Sequence, residues 1–339
     1  MTISHDVTVI IPNYNRVEPL IRAVHSVLLQ SENVKRIIII DDNSDYSLYK
    51  SYIDKLKLIY KINTDVKVDV IRQKTNSGAN VCRNIGIDLA DTKYIAFLDS
   101  DDLWTENKIK VQMEHIYRGS YRETRPVLSC TGRIRVDGNF NIIAKQFSGS
   151  KLDLKKLLSS NYLGTLSSVI VERWVAELIG GFDNKLPACQ DWDFFIRLSK
   201  LIKYVGVSEP LCVYVDHDED RITSGNKKRI YGHLNIRRKY LKNNLKYSDY
   251  SEFFRNLAED YSELGSKSQA KKFLLHHKLA SLNNDLERYM YYPIYLSRIE
   301  KEWKNVKANR YNKYREKPID IDVKKFNQLI NEVSNYDKP

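Results

Sequence analysis

At 339 residues the chain is long enough for about two domains, and a content of 42% hydrophobic and 29% charged residues excludes a disordered or fibrous protein. No run approaches the ~20 apolar residues of a membrane-spanning helix, and Met1 to Asp6 lacks the basic-then-apolar layout of a secretory signal, so a cytoplasmic location is expected. The net charge of +12 sits almost wholly in the last third: residues 226–339 hold about 25 Lys/Arg against about 14 Asp/Glu.

In chain order, Val7 to Ile11 reads as a strand and Val17 to Gln30 as an amphipathic helix. Arg36 to Asp41, with four consecutive isoleucines, reads as a strand buried on both faces. A helix around Ser47 to Ile62 follows, then a strand at Val66 to Ile71, a helix from Ala79 to Leu89 and a strand from Tyr94 to Leu98. A further helix is expected to begin near Trp104. Such alternation predicts an α/β fold with an open, mostly parallel sheet and flanking helices, whose ligands bind at the carboxyl ends of the strands. From Pro126 to Val215 the pattern loosens into shorter elements, with Gly180-Gly181 as a break. After Gly225 it becomes all-α, and Ser248 to Leu264 with Ser266 to Leu282 predicts a helical hairpin around Gly265. The expected division is therefore 1–225 and 226–339.

Each early strand ends in a polar cluster: Pro12-Asn13-Tyr14-Asn15-Arg16, Asp41-Asp42-Asn43-Ser44, Asn76-Ser77-Gly78 with Arg83-Asn84 downstream, and Asp99-Ser100-Asp101-Asp102. All four should meet at one edge of the sheet. Carboxylates crowded at a strand end repel one another unless a cation or hydrogen-bond donors intervene. Hard oxygen ligands of this kind suit Mn²⁺ or Mg²⁺ shared with a diphosphate. The competing reading is a helix start capped by Asp101, Asp102 or Thr105. Cys82, Cys130, Cys189 and Cys212 are widely spaced and form no metal-binding pattern, so four reduced thiols are expected.

These clusters, together with Tyr94 to Trp104 (YIAFLDSDDLW) and Gly180 to Phe195 (GGFDNKLPACQDWDFF), resemble glycosyltransferase family 2, a family of mostly inverting GT-A-fold enzymes. The resemblance covers about residues 6–215. It implies that Pro12 and Tyr14 line a base pocket, that Asp42 accepts a hydrogen bond from uracil, and that Asn76 and Gly78 belong to the same donor site. It implies further that Arg83 lies against the diphosphate or donor sugar, that Asp99 and Ser100 hold the ribose, and that Asp101 ligates the metal. In the family an acidic pair opens the helix at Gln190-Asp191-Trp192-Asp193, its second member being the general base. Asp191 matches the base, while Gln190 stands in place of the commoner Glu. A histidine after the last strand, here His217, closes over metal and diphosphate in many members, and Arg221 and Ser224 lie in the same stretch. Against each role stands a plainer one: packing of Tyr14 or Trp192, an Asx turn from Asp42 to Ser44, a carboxylate partner for Arg83, an N-cap role for Asp191.

The resemblance thus implies a metal-dependent inverting transferase that moves a hexosyl or N-acetylhexosaminyl group from a nucleotide sugar, UDP being favoured, to a saccharide or lipid-linked saccharide. The alternative is a non-catalytic sugar-nucleotide or saccharide-binding protein with a degenerate transferase domain. A dinucleotide-dependent dehydrogenase is excluded, because no G-x-G-x-x-G follows the first strand. The basic tail, with seven Lys/Arg between Lys301 and Lys317 beside Trp303, Tyr311 and Tyr314, suits peripheral contact with the inner face of an anionic membrane. Its competing role is packing on the core or on a second subunit of a homo-oligomer. No nucleic-acid motif accompanies it, so nucleic acid is not an expected partner.

Overall fold

The computed structural model describes residues 3–60, 65–120, 124–216, 226–241 and 246–281. His217, Arg221, Ser224 and the aromatic-basic tail therefore lie outside the described residues. The first strands are β1 (Ser4–Asn13), β2 (Asn33–Asp41), β3 (Lys67–Arg72) and β4 (Tyr94–Phe97). Between them run α1 (Glu18–Leu28), α2 (Tyr46–Ile59) and α3 (Ala79–Leu89). All four strands are parallel in the order β3-β2-β1-β4. The chain builds outward from β1 to β3 and then crosses back to place β4 on the other side of β1, so the carboxyl ends of β1 and β4 flank the crevice where such sheets bind ligands. Ile37 to Ile40 are all fully buried. Ile37 and Ile39 pack with α1 and α2, and Ile38 and Ile40 with Cys82 of α3, so no polar position interrupts this run of four.

Beyond β4 the sheet is mixed. Its later strands are β5 (Leu103–Trp104), β6 (Val127–Val136), β7 (Ile142–Gln146), β8 (Val169–Glu172) and β9 (Lys203–Val215). The full order is β3-β2-β1-β4-β8-β6-β9-β5, with β7 on β6. β8 is antiparallel to both β4 and β6, whereas β6 and β9 run parallel.

The helix expected near Trp104 begins later, as α4 (Lys108–Ser120). Leu103 and Trp104 instead pair antiparallel with Val213 and Cys212, and the Trp104 indole donates to the Ser167 carbonyl at 2.7 Å. A buried indole with one polar tip is better satisfied in this short strand than in the first turn of a helix. Three further helices complete the first 216 residues: α5 (Leu154–Ser159), α6 (Arg173–Leu178) and α7 (Gln190–Leu198). Then come α8 (Asn226–Ile236), α9 (Ser251–Glu263) and α10 (Lys267–Ser281), the last two forming the expected hairpin around Gly265, whose φ is +82°. Phe253, Phe254, Leu257 and Ala280 of this hairpin join Trp192, Phe195 and Leu157 in one continuous apolar core.

Candidate active site

The polar clusters meet around a cleft of about 920 Å³ at the carboxyl edge of the sheet. Pro12, Tyr14, Asp42, Asn76, Gly78, Arg83, Asp99, Ser100, Asp101 and Asp191 all line it. Tyr14 is 47% exposed, so its ring is free to meet a planar ligand rather than packed away.

The loops after β1 and β2 are knitted to each other. The Asn15 amide donates to Ser44 Oγ and the Asp45 amide to Asn15 Oδ1, both at 2.8 Å. Fully buried Asp41, not Asp42, makes the local turn, accepting from the Ser44 amide at 3.0 Å and its hydroxyl at 2.5 Å. Asp42 reaches across instead and accepts the backbone N–H groups of Ser77 (2.7 Å) and Gly78 (2.8 Å). Each carboxylate oxygen keeps a lone pair for a ligand. Gly78 sits at φ 90°, ψ 156°, a region open essentially only to glycine, which lets its amide face Asp42 while α3 starts immediately after it.

α3 carries Arg83 into the cleft, where it donates to Asp99 at 2.6 Å with its guanidinium 5.6 Å from the Phe182 ring centroid. Its neighbours on the same helix fix the other wall. Asn84 exchanges two hydrogen bonds with the backbone of Phe182 (2.7 and 3.0 Å), and Asn80 donates to the carbonyls of Asp183 and Leu186. A Cβ at Gly181, where φ is +64°, would stand 2.3 Å from Asn84 Oδ1, so this close approach needs glycine. The Gly180-Gly181 break thereby delivers the loop that leads into α7.

In the acidic turn after β4 the carboxylates diverge. Asp101 pairs with Arg16 at 2.5 Å. Asp102 turns inward, 1% exposed, and accepts from Ser167 Oγ at 2.6 Å and Thr165 Oγ1 at 3.3 Å. Burial, then the charges of Asp101 and Asp99, push its carboxyl well above the usual range. None of the three caps a helix, so the helix-start reading is corrected. Among the described residues no group of three His, Cys, Asp or Glu is set to hold a metal ion. Mg²⁺ and Mn²⁺ are commonly held by one or two carboxylates, with substrate phosphates and water completing the shell; Asp101, the residue expected to ligate such an ion, lines the cleft and is engaged by Arg16.

Across the cleft α7 starts at Cys189, which has left-handed backbone (φ +61°) and makes no side-chain cap. Asp191 is therefore not an N-cap. One of its oxygens accepts from the Trp192 amide and the other from Asn161 Nδ2, both at 2.7 Å. Burial raises its pKa, opposed by that Trp192 bond and by the cations Arg83 and Arg133. The net direction is upward, although the helix N-terminus alone favours the ionised form. Asp193 is structural: fully buried, it accepts from Arg197 (2.8 Å), Lys239 (3.0 Å) and Tyr240 (2.6 Å). Trp192, 1% exposed, donates to the Leu157 carbonyl and packs in the core, away from any sugar. Burial pushes the Cys82 and Cys130 thiols up to about 12 and raises Cys189 and Cys212 as well, which disfavours their reactive thiolate form.

Several cleft residues carry no local signal in the sequence. Asn161 lies in an ordinary polar loop, Arg133 alternates with core residues along β6, and Lys228, Arg229 and Glu259 reach the cleft from α8 and α9. Arg16, embedded in the first motif, could have been singled out.

Comparison with known proteins agrees with this geometry. Residues 8–154 match the model of glycosyl transferase family 2. The chain is similar to WcaA of Escherichia coli K12, assigned as a colanic acid biosynthesis glycosyl transferase, with 28% identity over 252 residues that cover 69% of this chain and 81% of that one. It is also similar to the Escherichia coli protein WfgD, described as a UDP-Glc:α-D-GlcNAc-diphosphoundecaprenol β-1,3-glucosyltransferase, with 26% identity over 62% of this chain and 74% of that one. Among solved structures, Staphylococcus aureus TarS residues 1–349 superposes with a TM-score of 0.55 at 15% identity, covering 86% of this chain and 92% of that one. The fold and the order of the motifs agree with that match: residues 8–154 are similar throughout to glycosyl transferase family 2, and the relatives extend the similarity to about two thirds of the chain.

Proposed function

We propose that the protein transfers a sugar from a UDP-linked donor to a hydroxyl of a saccharide or lipid-linked saccharide in surface polysaccharide assembly, inverting the anomeric carbon. One observation carries the reading: donor-side Asp42, Arg83, Asp99 and Asp101 face Asp191 across a single cleft. Two relatives support it, one being assigned to colanic acid biosynthesis and one named for UDP-Glc and a diphosphoundecaprenol-linked acceptor.

In this reading Tyr14 stacks on the base and Asp42 accepts from its ring N–H. Asp99 and Ser100 hold the ribose, and Arg83 meets the diphosphate. The acceptor hydroxyl gives its proton to Asp191 as its oxygen bonds to the anomeric carbon, and the bond from that carbon to the diphosphate oxygen breaks, its electron pair leaving with UDP. A divalent cation held by Asp101 would neutralise charge on the departing diphosphate. Asn161 keeps the Asp191 carboxylate pointed at the acceptor, and the raised pKa makes that carboxylate a stronger base than a solvated one. The deciding experiment is incubation with a panel of UDP-, GDP-, CDP- and dTDP-sugars with Mn²⁺, measuring release of the nucleotide. Release from UDP-sugars is expected; no binding or turnover of any nucleotide sugar would refute the proposal.

A further inference from the structure

The cations and carboxylates of the cleft are mostly matched. Arg16 pairs with Asp101 at 2.5 Å, Arg83 with Asp99 at 2.6 Å, Arg135 with Asp216 at 2.7 Å, and Arg229 with Asp260 at 2.5 Å. Arg133 breaks the pattern. It lines the same cleft, half-buried, and among the described residues no carboxylate stands within ion-pair distance of it.

Its position is nevertheless built. Its guanidinium lies in a notch left by the missing side chain of Gly164: a Cβ there would come within 2.0 Å of a guanidinium nitrogen and overlap it. On the next strand the Tyr214 ring stands 5.9 Å from it, a cation–π contact that holds a cation without neutralising it. The notch also ties Arg133 to Asp191. Asn161 Nδ2 donates both to the Gly164 carbonyl (3.1 Å) and to Asp191 (2.7 Å), so one short loop seats the guanidinium and orients the carboxylate. A half-buried, unpaired cation is costly unless a ligand completes it, and guanidinium geometry suits two oxygens of one phosphate or carboxylate.

We propose that Arg133 anchors an anionic group of the acceptor, a phosphate or a carboxylate, close to the hydroxyl presented to Asp191. This rests on the reading of Asp191 as the acceptor-side base. It makes Arg133 a specificity-determining residue that selects charged acceptors over neutral ones of the same sugar.

The test is calorimetric titration of the full chain, with UDP and Mn²⁺ saturating the donor side, by three probes: glucose 1-phosphate, glucuronic acid and methyl glucoside. At least one charged probe should bind about 10- to 100-fold more tightly than methyl glucoside, the range expected of a charge-assisted hydrogen-bonded pair. Which charged probe binds separates a phosphate from a carboxylate source. Arg133→Gln should erase the preference and Arg133→Lys should keep part of it, with UDP affinity equal to the parent's in both. Equal affinity for the three probes, no binding of either charged one, or a preference that survives Arg133→Gln overturns the inference, as does weakened UDP binding in the variants, which would put Arg133 on the donor side. Failure of UDP to bind the parent protein at all would instead refute the donor reading.

Discussion

Replacing Asp191 by Asn removes the proposed base and keeps its shape, which makes the local energetics calculable. The carboxylate accepts two donors, the Trp192 amide and Asn161 Nδ2, both at 2.7 Å. An asparagine has one acceptor oxygen, so one donor must then face an NH₂ group, at a cost of about 1–3 kcal/mol. Against that, burial already raises the pKa of Asp191, so its ionised form is destabilising at neutral pH and its replacement by a neutral amide removes that cost. The two effects are opposed, so the change in unfolding temperature should be smaller than either alone would give. Turnover has no such compensation and should fall by about 10²- to 10⁴-fold, while UDP affinity measured by calorimetry stays within about twofold. The pH dependence has a definite sign. A raised folded-state pKa means that the base is protonated over a wider acidic range, so kcat/KM of the parent should rise with pH through a limb lying above the ordinary carboxylate range and absent from the variant. Transfer by Asp191→Asn within about threefold of the parent, or an unchanged acid limb, would refute the assignment.

Asp101→Ala should abolish the Mn²⁺ dependence of UDP binding, read by titration of UDP with and without the ion. Identical affinities in all four combinations would reduce the cluster to a structural turn. Asp42→Ala should weaken UDP and narrow the gap between UDP and CDP, because cytosine has no N–H at that ring position; it also frees the Ser77 and Gly78 amides, so the 76–78 loop should gain hydrogen exchange. Asn161→Ala should leave UDP affinity unchanged and lower kcat about tenfold by releasing the Asp191 carboxylate, and a pH-independent, unaltered kcat would count against that role. Lys108 is fully buried on Gln112 (2.8 Å) and the Trp104 ring (3.9 Å), and burial lowers its pKa to about 7. Between that value and about 10.4 the folded state binds fewer protons than the unfolded one, so denaturation at pH 7 to 10 should show stability climbing with pH by up to ~4 kcal/mol. Lys108→Met should flatten that slope, and an equally steep slope in the variant would assign it elsewhere.

The parallel half of the sheet was legible because its signals are local. Four adjacent isoleucines admit few structures other than a strand covered on both sides, and each polar motif stands directly after a strand, at the edge where ligands bind. The second half was less legible for a physical reason: there the residues are satisfied by partners far along the chain. Trp104 is a strand residue because of Cys212 and Ser167, and Asp102 is buried because of Ser167 and Thr165. No periodicity near residue 104 encodes those partners. The same holds for Asn161 and Arg133, whose significance depends on a loop that touches both Asp191 and the Gly164 notch. Asp42 shows a finer limit. Its place in the site could be read from the motif, but its hold on the 77–78 amides required coordinates.

The helices after residue 226 bear directly on the site, through polar groups rather than packing alone. Asp193 sits two residues beyond Asp191, and its buried carboxylate is neutralised from α7 by Arg197 and from the segment after α8 by Lys239 and Tyr240. Lys239 also bridges to Asp183, in the loop that Asn80 and Asn84 hold against α3. Asp260 of α9 meanwhile ties Arg229 and His233 of α8 together at 2.5 and 2.6 Å, and His233 stands edge-on to Trp192 at 5.7 Å. Removing these helices would take from Asp193 two of its three side-chain donors, Lys239 and Tyr240, two residues from the proposed base. It would also strip the cleft of the wall that bears Lys228, Arg229 and Glu259. The first 225 residues hold the donor-side motifs, but the wall facing them is completed by α8 and α9, and the partners of buried Asp193 by Lys239 and Tyr240 in the segment after α8.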